Sequence, residues 1–149
     1  DGDVQIPDVL RKSLEQPEPR VRPGRSLAGV ASACIDLSDG LAGDLRHMLD
    51  ASGCGAVVEL ERLPLLPETS AFMQRQDDWQ LPLTAGDDYE LLFSVPQSRE
   101  QALQAVEPEL DCRVTRIGRI EAEPGLRFVD AAGRRCTPGH AWDHFRDDD

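Results

Sequence analysis

The sequence is poor in positive charge. Lysine occurs once, at Lys12, and 28 acidic residues outnumber 16 basic ones, so the formal net charge is -12 at pH 7. A surface that binds nucleic acid or an anionic membrane needs a basic face. The charge balance therefore argues against both partners. Phosphorylated ligands stay compatible with it if a metal ion mediates the contact.

Long hydrophobic runs and closely spaced cysteines are also lacking. The longest apolar stretch, residues 27–35, is too short to span a membrane and is interrupted by Gly29 and Ser32. No Cys-x-x-Cys pair occurs among the four cysteines, which are Cys34, Cys54, Cys112 and Cys136. This spacing indicates neither a zinc knuckle nor a redox pair. Since no signal-peptide pattern is visible either, we expect a cytoplasmic protein with reduced thiols.

Three signatures of phosphate or metal chemistry are absent. There is no Gly-Lys-Ser/Thr loop, which excludes a Walker-type kinase. A haloacid-dehalogenase-type phosphatase needs carboxylates at positions i and i+2 and a downstream lysine, but Ser38 follows Asp36 at that spacing and no lysine follows Lys12. An EF-hand fails because Gly40 falls at loop position 5 and His47 occupies the place of the bidentate glutamate.

The chain does contain a short apolar run that ends in a polar turn, residues 34–41 (CIDLSDGL), before a helical pattern. Asp36 and Ser38 point to the same side of an extended backbone, and Asp39 enters the helix near its N-terminus. Three oxygen donors at one strand end suit Mg²⁺, which keeps several waters and is completed by substrate phosphates. The structural alternative is that Ser38 caps the helix and Asp39 complements its dipole.

A second acidic stretch covers residues 83–96 (LTAGDDYELLFSVP) and places three carboxylates and a tyrosine before a buried-type strand. Taken alone, it is typical of an ordinary Gly-Asp turn that leads into a strand. Because another acidic strand end lies in the same small domain, we expect the two stretches to form a shared site.

The periodicity of apolar residues predicts helices and strands that alternate. The expected helices cover residues 4–14, 25–33, 39–52, 68–76 and 97–106. Of the expected strands, one ends at Asp36, one follows Glu90, and the others cover residues 56–60, 113–120 and 126–129, the last with a turn at 130–133 that suggests a hairpin. No strict βαβ repeat is present. The prediction is therefore an α+β fold, a mixed β-sheet with helices packed in layers on its faces.

Residues 1–24 are predicted to be a linker and N-terminal extension, because three prolines within residues 17–23 make a stiff connector. Residues 25–149 then form one C-terminal α/β domain, which is long enough for a core of its own. The arginines of the connector region, Arg20, Arg22 and Arg25, are expected to be solvated charges. Since the chain starts at Asp1 and not at a methionine, we expect it to be a fragment that follows an upstream domain.

Four motifs occur in a telling order: residues 31–45 (ASACIDLSDGLAGDL), 86–93 (GDDYELLF), 117–120 (IGRI) and 142–145 (WDHF). Together they resemble the C-terminal half of thiamine-monophosphate kinase, within the superfamily of aminoimidazole ribonucleotide synthetase-like proteins that use ATP. The resemblance covers residues 17–145. It implies the C-terminal domain fold of that superfamily and the phosphorylation of thiamine monophosphate to thiamine diphosphate, with ATP and several Mg²⁺ ions, by direct in-line transfer.

The resemblance also implies roles for single residues. Asp36 and Asp39 match positions that hold Mg²⁺, and Ser38 matches an ATP contact. Asp87 and Trp142 match positions at the thiamine-phosphate substrate, where an aromatic face stacks well on a cationic heterocycle. The family usually reads Gly-Gly-Glu-Asp-Tyr-Glu where this chain has AGDDYE, so Asp87 reaches one methylene less far than the usual glutamate.

The partners that the resemblance implies are the missing N-terminal domain and, in the full-length protein, a second copy in a homodimer. The missing half would supply the opposite wall of the site, so we expect this chain alone to be inactive. Two alternatives stay open. One is another C-terminal domain of the same superfamily, similar to selenophosphate synthetase or to a hydrogenase maturation protein. The other is a non-catalytic module that binds a partner.

Overall fold

The computed structural model describes residues 7–76 and 79–136, in which helices and strands alternate along the chain. The α-helices are α1 (Asp8–Glu15), α2 (Val21–Ser26), α3 (Leu41–Ser52), α4 (Pro67–Gln76), α5 (Gln80–Thr84) and α6 (Glu100–Val106). The strands are β1 (Ala33–Asp36), β2 (Gly55–Glu59), β3 (Leu91–Ser94), β4 (Gly118–Glu121), β5 (Gly125–Val129) and β6 (Arg135–Cys136). None of the described helices is long and apolar enough to cross a membrane.

The strands form two sheets. Strands β1 and β3 pair in antiparallel fashion, with Asp36 opposite Leu91. The second sheet has the order β4-β2-β5-β6 and is mixed, because β2 runs antiparallel to β4 but parallel to β5. Strands β5 and β6 form the predicted hairpin. The predicted α+β fold with a mixed sheet and packed helices is therefore confirmed.

Helix α3 lies at the centre of the core. Its apolar residues recur at helical spacing, and the side chains of Leu41, Leu45, Met48 and Leu49 are all buried. They form one cluster with residues of the sheets, of α5 and of the 3-10 turn that follows β2, namely Ala56, Val58, Leu60, Leu83, Leu92 and Phe128. The helix ends where the sequence predicts, at Gly53, whose left-handed φ of 64° suits a helix C-terminus. This packing fixes the N-terminus of α3 beside the end of β1.

The structure corrects several element predictions. The helix predicted at residues 25–33 is wrong, because the helix found there is α2, which starts within the predicted connector and ends at Ser26. Pro23 is buried in the first turn of α2, where a missing N–H costs no hydrogen bond. In place of the strand predicted at residues 113–120, the structure has the shorter β4, which starts at Gly118 and ends at Glu121. The domain boundary after residue 24 stays a prediction, although α2 crosses it.

Candidate functional site

The two acidic stretches lie side by side. Pairing of β1 with β3 brings the loop that precedes β3, residues 85–90, onto the turn that follows β1. Three backbone hydrogen bonds join them. The N–H of Leu37 donates to the carbonyl of Glu90 (2.9 Å), that of Tyr89 donates to Leu37 (2.8 Å), and that of Asp87 donates to Ser38 (2.9 Å). The expected proximity of the two stretches is thus present in the fold.

Two glycines permit this close approach. A Cβ atom on Gly86 would lie 2.3 Å from the carbonyl oxygen of Ser38, and one on Gly40 would lie 2.9 Å from the carbonyl carbon of Thr84. Gly40 also has a φ of 100°, a backbone conformation that side-chain-bearing residues rarely adopt. A larger residue at either position would push the loop and the turn apart.

Asp44 of helix α3 accepts hydrogen bonds from the turn after β1. The side chain of Asp44 is only 3% exposed, and its Oδ2 accepts hydrogen bonds from the N–H of Ser38 (2.9 Å) and of Asp39 (3.1 Å). The strand-end pattern of the sequence does not single out Asp44. A signal was present, since it is a carboxylate on the apolar face of α3, three residues after Leu41 and four before Met48.

This geometry corrects the capping alternative for Ser38. Helix α3 begins at Leu41, so its N-cap is Gly40, and no side chain caps it. Ser38 and Asp39 precede the N-cap and are half-buried in the turn. Asp36 is the exposed last residue of β1. Strand β1 therefore ends at Asp36 as predicted, but Ser38 is not a helix cap and Asp39 does not enter the helix.

The loop that carries Asp87 has an unusual backbone. Asp87 (φ 67°) and Tyr89 (φ 51°) are both in the left-handed region, which is uncommon for residues other than glycine. The Tyr89 hydroxyl donates a hydrogen bond of 2.9 Å to Oδ1 of Asp87. Backbone strain of this kind is common at ligand sites. Trp142, the other predicted substrate residue, lies outside the described residues.

Carboxylates crowd this face and shift the pKa values of neighbouring groups. The pKa of Asp88 is raised to about 6, first by the protein atoms that displace water around its carboxyl group and then by the carboxylates of Glu90, Asp87 and Asp44. The residue as a whole is nevertheless exposed at the rim. The hydrogen bond to Asp87 likewise raises the pKa of the Tyr89 hydroxyl. Crowded carboxylates favour any ligand that brings positive charge, a metal ion above all.

Arg20 corrects one prediction about the connector. Its guanidinium donates two hydrogen bonds to Glu90, from Nε to Oε2 (2.9 Å) and from Nη2 to Oε1 (2.7 Å), and it also pairs with Glu18. The Arg20 side chain is 20% exposed, so it is not a freely solvated charge. It fixes the end of the acidic loop where β3 begins.

The sequence of this chain is similar to those of known proteins along most of its length. Residues 2–131 match the family model described as AIR synthase related protein, C-terminal domain. The thiamine-monophosphate kinase of Salmonella typhimurium is 41% identical over 134 residues, which cover 87% of this chain and 40% of that relative. Its likeness confirms the resemblance that the four motifs predicted.

Two solved structures have the same fold. The thiamine-monophosphate kinase of Stenotrophomonas maltophilia K279a has a TM-score of 0.74 at 37% identity. The match covers 81% of this chain and 38% of the chain of that kinase. AaThiL, solved in complex with AMPPCP and TMP, also has a TM-score of 0.74, at 29% identity, with coverage of 97% and 44%. This chain thus spans less than half the length of the relatives it matches. Since the family model covers most of its residues, the chain belongs to the AIR synthase related proteins, in the part that forms their C-terminal domain.

Proposed function

We propose that this chain is the C-terminal half of a kinase that phosphorylates thiamine monophosphate to thiamine diphosphate with ATP and Mg²⁺. The observation that carries the proposal is the backbone pairing of the turn after β1 with the loop before β3. It gathers Asp36, Asp39 and Asp87 at one edge of a chain that is 41% identical to a thiamine-monophosphate kinase.

Asp36 and Asp39 would hold Mg²⁺. Among the residues that the structure describes, no three acidic, histidine or cysteine side chains are close enough to form a metal site by themselves. A pair of carboxylates fits Mg²⁺ in particular, because this ion is commonly held by one or two carboxylates, with waters and substrate phosphates completing its shell. Bound Mg²⁺ supplies charge neutralisation for the phosphates and for the charge that develops during transfer.

Ser38 would contact ATP through its hydroxyl. Its backbone N–H already donates to Asp44 and its carbonyl already accepts from Asp87, so both backbone polar groups are used inside the protein. The side chain lies between Asp36 and Asp39 in sequence, which places it beside the proposed metal ligands. A phosphate oxygen that accepts from the Ser38 hydroxyl would thereby be fixed relative to both carboxylates.

Asp87 and Trp142 would bind thiamine monophosphate. The Asp87 carboxylate is oriented by the Tyr89 hydroxyl and projects from a loop whose backbone is locked against Ser38. It can accept hydrogen bonds from the substrate or attract its cationic ring. Trp142 would stack on that ring, because an aromatic face attracts a cationic heterocycle.

The rest of the relatives' length would complete the site. In-line phosphoryl transfer requires that donor and acceptor be held together, and charge on both phosphorylated ligands must be balanced. This chain contributes one acidic face, and the nearby Arg20 is already paired with Glu90. We therefore propose that the remaining half encloses the ligands, and that the complete protein is a cytoplasmic homodimer.

The test is an assay for thiamine diphosphate with ATP, Mg²⁺ and thiamine monophosphate. It compares the 149-residue chain with the complete protein, meaning this chain together with the remainder of the length that its relatives have. The complete protein should form thiamine diphosphate, and the chain alone should show no turnover above background. Thiamine in place of thiamine monophosphate is the acceptor control and should give no product. Absence of thiamine diphosphate with the complete protein would refute the proposal.

A further inference from the structure

Asp44 is a buried carboxylate, and the free-energy cost of burying it needs an explanation. Among the residues that the structure describes, it is the only polar or charged side chain within the buried set. Its neighbours along the helix face, Leu41, Leu45 and Met48, belong to the core. Removing a carboxylate from water is expensive unless hydrogen bonds compensate for it. An apolar residue would serve the packing of α3 equally well, so the role of Asp44 lies in what its oxygens bind.

The partners of Asp44 lie outside its own helix. Its Oδ2 accepts from the N–H groups of Ser38 and Asp39, which precede the N-cap of α3, while its own N–H donates to the carbonyl of Gly40. Hydrogen bonds from backbone N–H groups to an ionised carboxylate are stronger than neutral ones. Asp44 thus ties down successive residues of the turn and does not serve the free N–H groups of the helix.

The opposite side of the same turn is held by the acidic loop. Ser38 accepts from the N–H of Asp87, and Gly86 packs directly on the Ser38 carbonyl. The side of the turn that faces the loop is therefore fixed by a hydrogen bond and by a close packing contact. Asp44 holds the other end of the same two peptide groups: the carbonyls of Leu37 and Ser38 accept from the loop, and the N–H groups of Ser38 and Asp39 donate to Asp44.

We propose that Asp44 is a positioning residue that orients the Ser38 hydroxyl and the Asp39 carboxylate toward the nucleotide and its metal ion. The inference rests on the proposed function for the identity of those ligands. Asp44 does not touch them. It acts by holding two peptide groups, so its loss lets both ligand-binding side chains turn away while the core around α3 persists.

Amide hydrogen exchange in the wild-type 149-residue chain tests the contact without any variant. Protected amides exchange slowly because they are hydrogen-bonded and rarely open. The amide protons of Ser38 and Asp39 lie in a turn, yet they should exchange as slowly as those in the middle of α3. Exchange at the rate of exposed loop amides would overturn the proposal, whatever the fate of an Asp44 variant.

Variants then test the consequence for ligand binding. Asp44→Asn keeps the size of the side chain but replaces a charged acceptor with a neutral one. Asp50→Asn makes the same change at an exposed position of the same helix and is the matched control. In the complete protein, the Mg²⁺ concentration that half-saturates AMPPCP binding, measured by calorimetry, should rise about tenfold for Asp44→Asn, as expected for a weakened charge-assisted hydrogen bond. For Asp50→Asn it should stay unchanged.

The outcomes separate positioning from simple support of the fold. If Asp44→Asn lowers the thermal midpoint but leaves the Mg²⁺ dependence equal to that of Asp50→Asn, Asp44 is only structural and the proposal is overturned. Failure of the proposed function has a different signature, namely no thiamine diphosphate from the wild-type complete protein. In that case the amide exchange of Ser38 and Asp39 and the Mg²⁺-dependent binding of AMPPCP still decide the role of Asp44.

Discussion

Arg20 and Glu90 are 70 positions apart and form a two-pronged ion pair that ties the segment before α2 to the acidic loop. Its two hydrogen bonds, of 2.9 and 2.7 Å, match the fork of a guanidinium to a carboxylate. The hydrogen bond to Glu90 raises the pKa of Arg20 above its ordinary value. A residue that the sequence places in a solvated connector is therefore part of the support of the candidate site.

A double-mutant cycle measures this pair. Arg20→Ala, Glu90→Ala and the double variant should give a coupling free energy of unfolding of about 1 kcal/mol, the upper end for solvent-accessible pairs. The Arg22–Asp111 pair is the control, because both of its side chains are more than half exposed. Its coupling should be close to zero. Equal coupling in the two pairs, measured by urea unfolding, would contradict the special role of Arg20.

Gly86→Ala tests how tightly the acidic loop packs on the turn. The added Cβ would lie 2.3 Å from the Ser38 carbonyl oxygen, so the backbone must shift, and overpacking of this kind costs about 1–3 kcal/mol. Gly24→Ala is the control in helix α2, where the new Cβ would lie 3.6 Å from Leu91. It should be neutral or stabilise the protein by up to about 1 kcal/mol. Similar urea midpoints for the two variants would refute the close contact.

Asp88 predicts a specific dependence of stability on pH. Folding raises the pKa of its carboxyl group from 3.8 to about 6, so the folded state holds the proton more tightly than the unfolded state. The stability that this contributes is present below pH 3.8 and is lost as pH rises toward 6. Asp88→Asn should therefore be more stable than wild type at pH 7, with the gain shrinking as pH falls to 4.

The measurement for Asp88 is the free energy of unfolding in urea across that pH range. Because Asp88 is exposed at the rim, water screens its neighbours and the gain should be smaller than the full pKa difference would give. Asp50→Asn, exposed on α3, controls for the general effect of removing one negative charge. A gain that does not vary with pH would contradict the raised pKa.

Asp87 tests the substrate side of the proposal. In the complete protein, Asp87→Ala should raise the Michaelis constant for thiamine monophosphate about tenfold and that for ATP far less, because it removes a contact with one ligand. Asp87→Glu should be tolerated, since it restores the side-chain length that is usual in the family. Steady-state kinetics with each substrate varied in turn provide the measurement. Equal effects on both constants would instead assign Asp87 to the metal or to the fold.

Much of the fold could be predicted because local patterns dominate it. The apolar spacing from Leu41 to Leu49 specifies the buried face of α3, and Gly53 marks its end. Strand β2 and helix α4 follow equally clear patterns. Helix α5 was missed because it has five residues and contains Pro82, too short a segment for periodicity to register. Helix α2 was hidden by Pro23 for a similar reason.

The candidate site is likewise predicted only in part by the sequence. Asp36, Ser38 and Asp39 could be selected from the sequence, because they stand where an apolar strand meets a polar turn, whereas Asp87 could be selected only through the family resemblance. The contacts that hold them could not, because they join distant segments. The Gly86 approach to Ser38 depends on tertiary packing, as does the Arg20 ion pair. Asp44 is only five to six residues from the turn that it binds, but its contact depends on the backbone conformation of that turn.

The Mg²⁺ dependence of thiamine diphosphate formation by the complete protein tests most directly whether the acidic edge binds the metal ion. Metal binding is proposed for Asp39. Asp39→Asn should therefore raise the half-saturating Mg²⁺ concentration about tenfold or more, because a neutral amide is a much weaker ligand for a hard cation. The control Asp50→Asn should leave it unchanged. If Asp39→Asn retains the wild-type rate and Mg²⁺ requirement, the assignment of the acidic edge as the metal site is contradicted.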